Sequence, residues 1–331
     1  TSPVSLATAR GRLSMAGTTA AAVASSGQTP AITTATEEYN NSFEVVTAGA
    51  WASGGNLNTA RRGLGGSHAG TQTAALAFGG IDSSNYNNSE EYDGSSWTEG
   101  DNLTTARRGL PGAGTQTACL AIGGYISAQA AIVESYNGSS WTEVGDINTA
   151  RSQLAGAGTT TAGLAFAGNT GTVQSLSEEY DGSSWTEGSN LNTARELTGT
   201  GTQTAGLGAG GAEPTTSGKT EEYDGTSWTE SGDLLQVRSR PGIIGTQTAA
   251  LVCTGMQLDP RVFYTNTEGY DGTAWSTRPS MATARGESAG SGTSTVGLCF
   301  GGDAADPVIS NATEEFTGET IAETGSAIDF D

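Results

Sequence analysis

Carboxylates beside a phenol recur in this sequence at Glu90-Glu91-Tyr92, Glu178-Glu179-Tyr180 and Glu221-Glu222-Tyr223, and adjacent carboxyl groups are common equipment for general acid and base work. In an extended chain, however, successive side chains leave opposite faces. The first glutamate then shares a face with the tyrosine and the second takes the other, so the pair diverges and cannot share a proton. A group repeated from unit to unit also suits a scaffold better than chemistry, which needs one asymmetric place. The first glutamate is expected to meet a repeated arginine at a partly buried junction, where it fixes register more than it adds stability.

Other reactive side chains are sparse. His68, in Gly-Gly-Ser-His-Ala-Gly, is the only histidine, so neither a Cys/His zinc site nor a histidine triad has the groups it requires. Its expected place is a surface or a turn. Cys119, Cys253 and Cys299 lie in apolar runs such as Ala118-Cys119-Leu120-Ala121-Ile122 and read as reduced core residues, not a disulfide framework. The Asp-rich turns lack the dense alternation of an EF-hand loop, and the Gly-Ala-Gly-Thr runs lack the following Lys-Ser/Thr of a phosphate loop. No catalytic residue, metal ligand or cofactor is therefore expected, and the chain is read as a non-enzyme.

The elements that carry these residues follow from composition. The 331 residues include 50 glycines, and 35% are hydrophobic, which favours many short strands and tight turns over long amphipathic helices. Fourteen Lys+Arg stand against 35 Asp+Glu, a net charge of −21, with Lys219 the one lysine. That balance argues against a nucleic-acid partner and leaves no polybasic segment for lipid. Long uncharged stretches are Ala/Gly/Ser/Thr-rich, so no membrane insertion is expected. No charged-then-apolar leader opens the sequence, and secretion stays open on that ground.

A repeat decides the architecture. Trp51, Trp97, Trp141, Trp185, Trp228 and Trp275 are spaced by 46, 44, 44, 43 and 47 residues, and ten residues after each stands Arg61, Arg107, Arg151, Arg195, Arg238 or Arg285. Arg10 heads a seventh copy. Five residues before most tryptophans comes a tyrosine, with Tyr39 in a lengthened first copy, Phe316 in the last and Ile321 in the seventh tryptophan slot. Each unit offers four short strands: an apolar second strand ending at a glycine pair such as Gly123-Gly124, and a third and fourth strand joined by Asp-Gly-Ser-Ser, a strong hairpin signal. Seven such units describe an all-β, seven-bladed β-propeller of four-stranded antiparallel blades, one domain over 1–331. The blades are expected at 10–60, 61–106, 107–150, 151–194, 195–237, 238–284 and 285–331, closing face to face without an exchanged strand. Residues Ser2 to Leu6 are expected to pair beside the last outer strand and to be dispensable.

The succession of glycine pair, Glu-x-Tyr-(Asp/Asn), tryptophan and arginine resembles the kelch repeat, whose family fold is the β-propeller. The resemblance covers essentially the whole chain. Ala167-Gly168, Thr254-Gly255 and Ser26-Gly27 replace the glycine pair, and Ser135 and Gly269 alter the residue before tyrosine. Some kelch-like propellers resemble galactose oxidase, a copper enzyme, whose histidine and tyrosine ligands this chain cannot supply. Near-verbatim units such as Gly-Thr-Gln-Thr-Ala and Tyr-Asp-Gly-Ser-Ser-Trp-Thr-Glu are similar to kelch-like proteins of marine bacteriophages. That similarity implies a structural or adhesive component of the virion exterior, a fibre, decoration or tail part, whose partners are other virion proteins or a host-surface protein or glycan. The alternative is an extracellular glycan-binding or protein-interaction kelch propeller of a cellular organism. Contacts are expected from the segments that vary between blades, with Tyr86, Tyr125, Arg261, Phe263 and Tyr264 as anchors. The competing expectation is that Phe263 and Tyr264 cap their own blade.

Overall fold

The computed structural model describes residues 14–17, 21–25, 36–40, 43–305 and 308–324. The chain divides into two compact units, one formed by Thr1–Ala48 with Glu319–Asp331 and the other by Gly49–Gly318. In the larger unit six four-stranded antiparallel blades stand in a ring, each running from an inner to an outer strand.

Blade two shows how the repeat builds a blade. Its strands are Gly112–Thr115, Ala118–Ile122, Val133–Tyr136 and Trp141–Glu143, hydrogen-bonded in that order. The second strand is apolar on both sides because blades pack on both its faces, and Cys119 to Ile122 are fully buried. Tyr136 faces Trp141 across the last hairpin, ring centroids 4.9 Å apart. The Asp-Gly-Ser-Ser version of that hairpin, in blade one, is closed by Asp93, whose Oδ1 accepts the Ser95 and Ser96 amides at 2.8 Å each. Those bonds hold the exposed Asp93 carboxyl down to about 2.

The tryptophans join blades to one another. Trp97 packs on Phe300 of blade six at 4.8 Å, Trp141 on Phe78 of blade one at 5.1 Å, and Trp228 on Phe166 of blade three at 4.7 Å. Inner strands meet at the axis so closely that side chains must vanish: a Cβ on Gly112 would stand 2.2 Å from the Gly66 carbonyl oxygen. The neighbour order of inner strands, beginning at residues 65, 112, 155, 196, 242 and 289, returns from the sixth to the first.

The ring has six blades, not the seven expected, and it closes by an exchanged strand. Blade six takes Ala289–Gly292, Val296–Phe300 and Thr313–Thr317 from the end of the unit and its outer strand, Ala50–Ser53, from the beginning. Trp51 thereby lies opposite Phe316, ring centroids 5.2 Å apart. It fills the tryptophan slot that the repeat assigns to Ile321. The segment Thr320–Thr324 pairs instead with Phe43–Thr47, Ile321 opposite Val46, in the smaller unit. The first repeat contributes a separate three-stranded sheet, Ser14–Gly17, Ala21–Ser25 and Thr36–Asn40, so 10–60 is not a blade of the ring. The physical gain of the exchange is a backbone ladder across the seam where packing alone would otherwise close the circle. Arg10 and Ser2 to Leu6 lie outside the described residues.

Candidate functional site

Each repeat arginine is consumed by the scaffold. Arg61, Arg107, Arg151, Arg195, Arg238 and Arg285 are fully buried and pair with Glu90, Glu134, Glu178, Glu221, Glu268 and Glu314 of the third strand. In the third copy Arg151 Nη2 stands 2.7 Å from Glu178 Oε1, and Arg151 Nη1 donates to the Ala167 and Leu176 carbonyls at 2.9 Å each. The other Glu178 oxygen accepts the Asn148 amide at 2.5 Å. One ion pair thus ties the link between blades to the third strand, deeper than the partly buried junction expected. Burial lowers the Arg61, Arg107, Arg151 and Arg238 guanidinium pKa values, and the paired glutamate opposes that shift.

The second glutamate of each pair points the opposite way, to the neighbouring blade. Tyr136 donates to Glu91, Tyr223 to Glu179 at 2.5 Å, Tyr270 to Glu222 at 2.5 Å and Tyr92 to Glu315 at 2.6 Å. Burial foremost, then the carboxylate, push the Tyr92 phenol up to about 12. These pairs staple blades and share no reacting atom.

What varies between blades gathers where the links meet the segments after the glycine pairs. Link and segment are bridged at Arg62 with Ile81, Arg108 with Tyr125, Ser152 with Asn169, Ser239 with Met256 and Gly286 with Asp303. The expected contact residues divide here. Tyr125 enters the central funnel, its ring 4.7 Å below the Arg108 guanidinium. Tyr86 is half-buried, with its backbone accepting from Arg107 and donating to Gly80. Arg261 and Phe263 lie in a hairpin, Met256–Leu258 with Arg261–Phe263, where Arg261 stacks over Phe263 at 5.0 Å and reaches Asp303 of blade six at 2.5 Å. Tyr264 folds back, its hydroxyl between Gln257 and Gln236 at 3.2 and 3.1 Å.

The funnel itself is more polar than the Gly/Ala inner strands suggest. At its mouth a cavity of about 400 Å³ is lined by Arg62, Arg108, Tyr125, Gln153, Arg240 and Glu287 among others. Residues two beyond the repeat arginine hand a backbone bond from blade to blade: Gly109 donates to Gly63 and Gln153 to Gly109 at 2.7 Å, Gly63 to Glu287 and Glu287 to Arg240 at 2.9 Å. All adopt the left-handed conformation, Gln153 at φ 52°, Arg240 at 50° and Glu287 at 53°. At blade four, where the inner strand is bulged between Glu196 and Thr198, side chains take over: Arg240 bridges Glu196 at 3.3 Å and Glu287 at 2.5 Å. Burial alone would lower the Arg240 pKa, but Glu287 and Glu196 more than offset it and raise it. Arg62 stands 3.6 Å from Glu287 and 3.4 Å from Asp303. Burial raises the Asp303 carboxyl against the pull of Arg261 and Arg62. Of these residues the sequence reading missed Arg62, Arg108, Arg240, Glu196 and Glu287; the doubled arginines at 61–62 and 107–108 were the available signal.

Below the mouth, His68 lines the channel from the turn that follows the inner strand Gly65–Gly66, the turn position expected of it, and is half-buried. Its Nδ1 is buried without a partner, and burial pushes the imidazole down to about 4. Among the described residues no cluster of His, Cys, Asp and Glu is arranged to hold a metal ion, and no helix is long and apolar enough to cross a membrane.

No protein-family model matches the sequence, and no curated protein matches it. Among solved structures the chain is similar to YjhT, with a TM-score of 0.68 at 11% identity over 81% of this chain and 99% of that one. At that identity the likeness carries the β-propeller fold and nothing finer.

Proposed function

We propose that this chain is a non-enzymatic structural or adhesive propeller of the kelch type, a component of a phage virion exterior that presents its blade-variable segments to a host surface or a neighbouring virion protein. One observation carries the reading: the groups that repeat are consumed by the scaffold, while those that differ between blades collect at one set of links. The six Arg–Glu pairs are buried, each guanidinium held by its glutamate, so the carboxylates best placed for proton transfer are engaged in the scaffold. Mass spectrometry of purified particles tests the assignment, and absence of the chain from them refutes it. Replacing Arg261, Phe263 and Tyr264 together by alanine is expected to abolish attachment with little change in circular dichroism. Unchanged attachment would remove that hairpin from the contact face.

A second reading is an extracellular glycan-binding or protein-interaction propeller of a cellular organism, favoured by the aromatic Tyr125 inside a polar funnel. Glycan binding by a chain found free in culture medium, and in no particle, would select it.

A further inference from the structure

We propose that the funnel mouth around Arg108 and Tyr125 binds a carboxylate-bearing sugar, a hexuronate unit of an acidic glycan. This deepens the adhesive reading by naming the ligand of one site. Arg62 and Arg240, the other arginines lining the cavity, are engaged by Glu196, Glu287 and Asp303. Arg108 meets no carboxylate within ion-pair distance among the described residues. It rests on the face of Tyr125 at 4.7 Å and spends one donor on Asn85 Oδ1 at 3.1 Å. A guanidinium carries five N–H donors in a planar fork that matches a carboxylate, so most of its capacity stays directed to whatever enters the cavity.

The lining selects among anions. Glu287 shares the mouth, and its charge opposes a second negative charge on the unit that enters the cavity. A singly charged carboxylate is therefore preferred over a phosphate. The Gln129 and Gln153 side chains line the same cavity and form no hydrogen bond to the described residues, which leaves amide donors and acceptors for neighbouring hydroxyls. The volume of about 400 Å³ lies within the range of small-molecule sites. One carboxylate, several hydroxyls and an apolar ring edge against Tyr125 describe a pyranose uronate.

Calorimetric titration of the purified full chain with trigalacturonate is the test, with maltotriose, acetate and an acidic peptide as comparisons. Trigalacturonate is expected to bind through one of its uronate units, and the comparisons to bind much less. Arg108→Gln should weaken binding on the order of tenfold or more, the usual value of a hydrogen bond to a charged group, and Tyr125→Ala should weaken it as well. Arg278→Gln, on an exposed outer strand, should change nothing. Melting curves establish that each variant is folded. No trigalacturonate binding, equal binding of maltotriose, binding indifferent to Arg108→Gln, or Arg108-dependent capture of the peptide in place of the sugar would each overturn the proposal. Because the titration uses the isolated chain, its failure leaves the virion assignment to particle mass spectrometry, and absence from particles leaves Arg108-dependent sugar binding standing.

Discussion

The exchanged strand at blade six gives two tryptophan-slot residues opposite fates, and paired substitutions separate them. Trp51 packs on Phe316 and against Ile244, Leu251, Cys253, Met281 and Cys299, so it seals blade five to blade six as well as closing the latter. A fully buried tryptophan cut to alanine costs about 3–5 kcal/mol. Trp51 is half-buried, and its indole Nε1 is enclosed without a hydrogen-bond partner, a penalty that the variant relieves. Trp51→Ala is therefore expected near the lower end, about 3 kcal/mol. For a unit of this size each kcal/mol moves the midpoint by about 2–4 °C, so the propeller transition should fall by roughly 6–12 °C. Ile321→Ala should leave that transition in place, because the Thr320–Thr324 ladder belongs to the other unit. Differential scanning calorimetry of both variants, with near-ultraviolet circular dichroism to identify the propeller transition, decides the matter. If Ile321→Ala lowers the transition as much as Trp51→Ala, the ring closes through its C-terminal strand and the topology described above is wrong.

Arg151→Met should cost about 3–5 kcal/mol by leaving Glu178 buried without its partner, and the double variant with Glu178→Gln should recover part of that loss; denaturant unfolding of the three variants measures the coupling. The His68 imidazole titrates near 4 when folded against about 6.5 in a free chain, so the unfolded chain takes up the proton first. Its contribution is present above about pH 6.5 and is lost progressively as pH falls toward 4, by at most about 3 kcal/mol. His68→Gln should flatten that part of the stability profile, and a variant as acid-sensitive as the parent would contradict the assignment. Gln153 sits at φ 52° where blades one and two carry Gly63 and Gly109; Gln153→Gly should raise stability by about 1 kcal/mol, seen as a higher melting temperature.

Local chemistry made most of a blade legible in the sequence. The Asp-Gly-Ser-Ser turn fixes its own hairpin, the apolar second strand can be buried only between two neighbours, and the tryptophan-to-arginine spacing sets the link between them. Period-two alternation likewise separated Glu178, which meets Arg151, from Glu179, which meets Tyr223. Blade number was not legible, because Ile321 and Trp51 stand in equivalent registers and only competition for the edge of Thr313–Thr317 assigns one of them. The funnel was hidden for a related reason. Arg62, Arg108, Arg240 and Glu287 come from different repeats, and a ring closed in three dimensions is what turns these scattered link residues into one polar mouth above His68.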